Sequence, residues 1–97
     1  MSNKTTKKLF HLQLQKVLFL LEESYKTQPS SMLEMIISRY KQANDIIQNN
    51  SPENLTKDMF RIRGSVRAYL ESHSDYMNPM LGEMDKAEKM LEEAFHR

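Results

Sequence analysis

Glu93 and His96 stand three residues apart, the spacing at which a helix presents a carboxylate and an imidazole to one metal ion. Di-iron bundles use that unit twice, with two more inward-facing glutamates, and this chain has it once, in the final turn of a predicted helix. A solvated terminal turn is the simpler reading. His73, Met77, Met80 and Met84 would line one side of a continuous helix, an imidazole and thioether set suited to Cu(I) or Ag(I). Pro79 interrupts that helix, no thiolate exists to complete the set, and methionines at this spacing commonly fill cores. Soft-metal binding through these four residues is kept as a third alternative. Glu22-Glu23 and Glu92-Glu93 are adjacent carboxylates, but both pairs fall on polar arcs that would leave them ordinary solvated acids. The two glycines, Gly64 and Gly82, are 18 residues apart and both fall inside predicted helices, so no phosphate-cradling loop is present. With no cysteine, thiolate metal sites, cysteine nucleophiles and disulfides are excluded together. The sequence therefore predicts a protein that is not an enzyme, with no catalytic residues, cofactor, resident metal or evident small-molecule substrate.

Charge gives a weak pointer to nucleic acid. Lys4, Lys7 and Lys8 cluster at the start, and Lys57, Arg61, Arg63 and Arg67 load one later segment. Glu53, Asp58 and Glu71 are interleaved with the second group, and 14 Lys+Arg against 13 Asp+Glu leave a formal charge of +1. A nucleic-acid-binding accessory role through Lys7, Lys8, Arg63 and Arg67 stays as the second alternative, against local ion pairs on a solvated face.

Ninety-seven residues (97 in all) are the length of one domain. Leu, Ile, Val and Phe supply 22 of them, enough with the eight Met (Met 8) to build a core. Two Gly (Gly 2), three Pro (Pro 3) and only Val17 and Val66 argue against a sheet, which needs turns and β-branched strands. The longest apolar run, Val17 to Leu21, is five residues, against the 7 to 15 of a signal peptide and about 20 of a membrane span. A cytoplasmic chain without a membrane span is expected.

Turn residues cut the chain at Gln28-Pro29-Ser30, at Asn49-Asn50-Ser51-Pro52 and between Ser72 and Pro79. Four helices are predicted between them, over about 5–26, 32–48, 52–73 and 79–96, in a single domain spanning 1–97 with residues 1–4 disordered. The first, capped by Thr5 or Thr6, carries the stripe Phe10, Leu14, Val17, Leu18, Leu21 and Tyr25. The second opens on Ser31-Met32-Leu33-Glu34, a capping box, and ends at Asn49-Asn50 with Asn in the left-handed conformation. Its stripe is Leu33, Ile36, Ile37, Tyr40, Ala43 and Ile47. The third starts with Pro52 in its first turn and follows the seam Leu55, Met59, Ile62, Val66, Tyr69 and Leu70. The fourth starts at Pro79 behind an Asn78 cap, or near Asp75 with a kink at Pro79, and buries Met80, Met84, Ala87, Leu91, Ala94 and Phe95. Short connections force neighbours antiparallel, so the fold class is all-α, an up-down-up-down four-helix bundle. A three-helix bundle with a long bent C-terminal hairpin is the alternative.

The first two helices carry more apolar surface than such a bundle hides. At 100° per residue Leu9, Leu12, Phe19 and Leu20 form a second face on the first helix, with Lys16 among them. Met32, Met35 and Ile46 widen the apolar arc of the second, with Arg39 at its centre. Either these helices use the second face internally, or the face docks on something. In the third segment Phe60 lies off the seam beside Arg63 and Arg67, either an exposed aromatic flanked by arginines or a core Phe with arginine stems laid over it. The expected function is a small non-catalytic protein-protein interaction module, self-associating as a homodimer or binding a partner helix through helices 1 and 2. Its expected contact residues are Leu9, Leu12, Phe19, Leu20, Met32, Met35, Ile46, Phe60, Arg63 and Arg67.

In size and helix count the chain is similar to small bacterial helical proteins such as bacteriocin immunity proteins and secreted helical-hairpin proteins. The hairpin family's Trp-x-Gly turn is absent, since the chain has no Trp and its central turn is Asn49-Asn50-Ser51-Pro52. No residue role carries over from that likeness.

Overall fold

The computed structural model describes residues 3–74 and 76–95, so the expected disorder of residues 1 and 2, the His96 half of the Glu93 and His96 pair, and a helix start at Asp75 lie outside the described residues. Within them the chain forms α1 (Asn3–Thr27), α2 (Ser31–Asn49), α3 (Ser65–Ser72) and α4 (Pro79–Ala94). Two single-turn 3₁₀ helices, Pro52–Asn54 and Lys57–Met59, lie between α2 and α3. The helices close a ring in which α1 packs on α2 and α4, α2 on α3, and α3 on α4. Phe10 meets Phe95 while Ser24 meets Met80, so α4 descends as α1 rises. The fold is an up-down-up-down four-helix bundle, and the non-helical residues 73, 74 and 76–78 separate α3 from α4, against the continuous helix that the three-helix alternative required. Its 38 Å long axis matches α1, whose 25 residues rise about 37 Å.

Helix ends show where local chemistry overrode the simplest reading. α1 begins at Asn3, which places Thr5 and Thr6 inside the helix and removes them as caps. Ser30, one residue before the expected Ser31, caps α2: its Oγ accepts from Leu33 N–H at 3.1 Å. The Ser31 to Glu34 box does not form, and the Glu34 carboxylate accepts from the Tyr25 hydroxyl at 3.5 Å. At the other end Asn50 is extended (φ −131°), with no left-handed turn, and its side-chain amide donates to the Ile46 carbonyl at 2.8 Å. That bond satisfies one of the carbonyls a helix end leaves open. Asn78 caps α4 as expected, accepting from Met80 N–H at 2.9 Å with Pro79 in the first helical position.

The expected helix over 52–73 is the main correction. Only Ser65–Ser72 is α-helical; Phe60 is extended, and Gly64 is left-handed at φ 81°. The reason lies in the alternation of burial: Phe60 and Ile62 point inward while Arg61 and Arg63 point out. Residues two apart lie on opposite sides of a helix but on one side of an extended chain. The extended path therefore buries Phe60, which the helical seam would have left outside, at the expense of Met59, Val66 and Leu70, which are only half-buried. Burying a Phe contributes about 1.5–3 kcal/mol, enough to outweigh a few turns of helix propensity. Gly64 then turns the chain into α3 in a conformation that glycine adopts without a side-chain clash.

A candidate interaction surface on α1

Like every helix of the ring α1 packs on two neighbours, α2 and α4, and its outer side faces neither. On that outer side Leu9 is 53% exposed, Leu12 52% and Phe19 61%. Exposed Lys16 lies between them, with its Nζ 3.4 Å from Glu83 Oε2. The core-facing stripe Phe10, Leu14, Val17 and Leu21 is fully buried, so both expected faces of this helix exist and only one is used by the bundle. Leu20, Met32 and Ile46 pack half-buried on the core and are not part of an open face.

Met35 is exposed but does not extend the α1 surface. The edge of α2 beside α1 carries Ile37 and Lys41, and Met35 is about 160° from Ile37 around the helix. Arg39, half-buried, is turned to the Met35 side. The expected joint face of helices 1 and 2 therefore divides: Leu9, Leu12 and Phe19 on α1, and Met35 apart from them. What α2 does add is one wall of a groove of about 510 Å³, lined by Phe19, Tyr25 and Ile37 with Glu22, Glu23, Glu34, Lys26 and Lys41. Ion pairs Lys26–Glu23 at 3.1 Å and Lys41–Glu22 at 3.7 Å lie on its rim. No spacing in the sequence marks this groove, because Tyr25 and Ile37 also fit the core stripes.

Phe60 is not an exposed anchor. It is 4% exposed, and its ring lies 5.4 Å from Phe10 and 5.2 Å from Phe95, so it is a core residue. Arg63 Nε pairs with Glu92 Oε2 at 3.1 Å, and Lys57 Nζ with Glu92 Oε1 at 2.7 Å. Arg67 is exposed beside a shallow cavity that also includes Gly64, Tyr76 and Glu88. Lys7 Nζ lies 5.0 Å from the centre of the Phe95 ring, while Lys8 is exposed. Of the four cations in the nucleic-acid alternative, Arg63 is therefore partly neutralised within the fold and Lys7 is held against an aromatic face. His73 closes α3, its ring stacked on Tyr69 at 4.2 Å, and Met77 is 93% exposed in the following turn. Met80 and Met84 are core residues, so the continuous stripe that the soft-metal alternative needs is not assembled. Among the described residues no group of three or more His, Asp or Glu is placed to hold a metal ion, and no helix is long and apolar enough to cross a membrane.

A polar link that no sequence spacing marks fixes α1 in the bundle. Buried Gln13 donates from Nε2 to the Glu83 carbonyl at 2.9 Å and to its carboxylate at 2.8 Å. That hydrogen bond, with Lys16 adding to it, holds the Glu83 carboxyl below the usual carboxylate range. Lys57 first, then Arg63, does the same for Glu92. Both groups release their protons more readily when folded, so their contribution is present above the ordinary carboxylate range and disappears as pH falls through it. The melting temperature is expected to drop between about pH 5 and pH 3. Glu92→Gln should lower the neutral-pH value slightly and flatten that decline, as measured by thermal melts across the pH series.

The fold and surface define an all-α four-helix bundle whose longest helix carries an uncovered apolar row. Residues 3–96 match the family described as YeeD uncharacterised protein, and the chain belongs to that family. It is 44% identical over 69 residues to the uncharacterized protein YeeD of Bacillus subtilis (strain 168), a match covering 67% of this chain and 68% of that one. No solved structure matches the chain.

Proposed function

We propose that this chain is a cytoplasmic, non-catalytic protein-interaction module that docks through the outer face of α1. The observation that carries the reading is the row Leu9, Leu12 and Phe19, each more than half exposed on one side of a helix whose other side is fully buried. Together the three side chains leave on the order of 300 Å² of apolar surface in water, the size at which a patch on a monomer is often functional. Nothing in the bundle's own packing requires a phenylalanine at position 19, whereas a docking helix or surface gains from an aromatic anchor there. Shape and burial are the mechanism, with the charged rim of the Phe19 groove setting orientation.

The test is recovery of partners from the native host with a tagged chain, run beside the double variant Leu12→Glu and Phe19→Glu. Both positions are exposed, so circular dichroism should show unchanged helicity and stability altered by no more than about 1 kcal/mol. The variant is expected to lose the partners that the wild type retains. An identical set of partners from both proteins would remove the α1 face as the docking site.

A further inference from the structure

Leu9, Leu12, Lys16, Phe19 and Glu23 follow one another at steps of three, four, three and four. That spacing averages 3.5 residues, the repeat that keeps a seam facing another helix along its whole length. An uncovered row of this kind suits a long helix better than a pocket or a flat sheet. The direction and register that such a helix must take can be read from the charges of α1 itself.

The first two turns of α1 hold Lys4, Lys7 and Lys8 and no acidic residue, while Glu22 and Glu23 stand near its other end. Lysines at a helix start oppose the positive end of its own dipole. An identical helix laid alongside in parallel would repeat that conflict, basic start beside basic start. Laid antiparallel, it brings a carbonyl end and two glutamates to the lysines, against the single Lys26 of that end. Of the antiparallel registers that match seam to seam, one places Leu9 opposite Phe19 and Leu12 opposite Lys16. A shift of one heptad either way leaves Phe19 opposite Lys16 or beyond the start of the helix. The register that covers all three apolar residues on both helices also brings Lys8 to the same flank of the seam as Glu22, within two residues of directly opposite it. At the Leu12 layer the Lys16 ammonium is drawn aside by Glu83 on its own chain, so its methylene stem is what faces the leucine.

We propose that the occupant of the α1 face is a second copy of this chain, its α1 antiparallel to the first about a twofold axis at the level of Leu14. The proposal rests on the docking-face reading and names its partner. Phe19 of each copy packs on Leu9 of the other, and the lysine-bearing start of each α1 enters the other's groove between Phe19 and Ile37, where Glu22, Glu23 and Glu34 outnumber Lys26 and Lys41. The surface is isologous, as a twofold dimer demands. The apolar row is small for a specific interface, which makes the pair a weak one.

Sedimentation equilibrium of the full chain, from about 10 to 300 μM, should show monomer giving way to dimer. Lys8→Glu and Glu22→Lys, singly, should each weaken the dimer roughly tenfold, and the combined variant should recover it, because the swap restores both symmetry-related pairs. Recovery is what a parallel dimer or a nonspecific hydrophobic pair would not show. A dimer indifferent to the swaps overturns the antiparallel register. A wild type that stays monomeric throughout overturns the second copy as occupant. If the host partners are then still lost with Leu12→Glu and Phe19→Glu, the docking-face reading stands with a different protein on it; if they are retained, both readings fall.

Discussion

Phe60→Ala is expected to destabilise the protein by about 3–5 kcal/mol, a large fraction of what a domain of this size possesses. Phe60 is enclosed by two other aromatic rings, edge-on to Phe10 at 84° and tilted 35° against Phe95. Phe10 and Phe95 in turn meet at 5.9 Å and 77°. These three rings draw one residue each from α1, from the non-helical segment and from the end of α4. Truncating the middle one removes its own burial, opens a cavity and takes away its aromatic contacts with the other two. It also detaches the extended segment, since Phe60 and Ile62 are its inward anchors. Phe19→Ala, the same chemical change at a 61% exposed position, should alter stability by less than about 1 kcal/mol. Urea unfolding monitored by circular dichroism measures both, at one low protein concentration so that association does not contribute. Comparable losses from the two variants would show that the aromatic trio is not what holds the segment.

The contrast between these two phenylalanines marks what was legible in the sequence. Phe19 reads correctly because α1 is a regular helix and its exposure follows from angle alone. Phe60 reads as helical because the seam Leu55, Met59, Ile62, Val66, Tyr69 and Leu70 recurs at helical steps around it. Two signals spoke against it, a large aromatic left off that seam and a Phe60/Ile62 alternation with arginines between, and Gly64 supplied the place to turn. Propensity alone could not decide, because the gain from an extended path is the burial of Phe60 against Phe10 and Phe95, residues 50 and 35 positions away in the sequence. The same limit hid the Gln13 to Glu83 link, whose partners are 70 residues apart. Caps were legible by type but not by position, since Ser30 and Ser31 are chemically equal and the extended backbone of Ser30 made the choice. On the candidate surface, Leu9, Leu12 and Phe19 followed from one helix, whereas separating Met35 from them needed to know which edge of α2 meets α1.

The second large effect is expected at Glu88, a residue that no motif or spacing singles out. α3 has 8 residues, too few to persist as a helix unaided, and its start has no side-chain cap because Gly64 occupies the N-cap position. Glu88, reaching over from α4, takes that role. Its Oε1 accepts from Gly64 N–H and its Oε2 from Val66 N–H, both at 3.1 Å, and its charge lies at the positive end of the helix. The neighbourhood penalises its loss. The Ser65 and Tyr40 hydroxyls are buried with no hydrogen-bond partner among the described residues. Burial, with the charge of Glu88 adding to it, pushes the Tyr40 hydroxyl up out of reach of ordinary titration. Glu88→Ala therefore leaves two amides without their acceptor and removes the favourable charge, at a cost of about 2–4 kcal/mol. Glu88→Gln, which keeps one carbonyl oxygen but turns an NH₂ toward the other amide, should lose roughly half of that. Amide hydrogen exchange would locate the effect: protection at Val66 to Leu70 should fall first, while the α1 amides near Leu14 and Val17 stay protected up to global unfolding. If Glu88→Ala leaves stability within about 0.5 kcal/mol and α3 exchange unchanged, α3 is held by its packing on α2, and the carboxylate is incidental to its start.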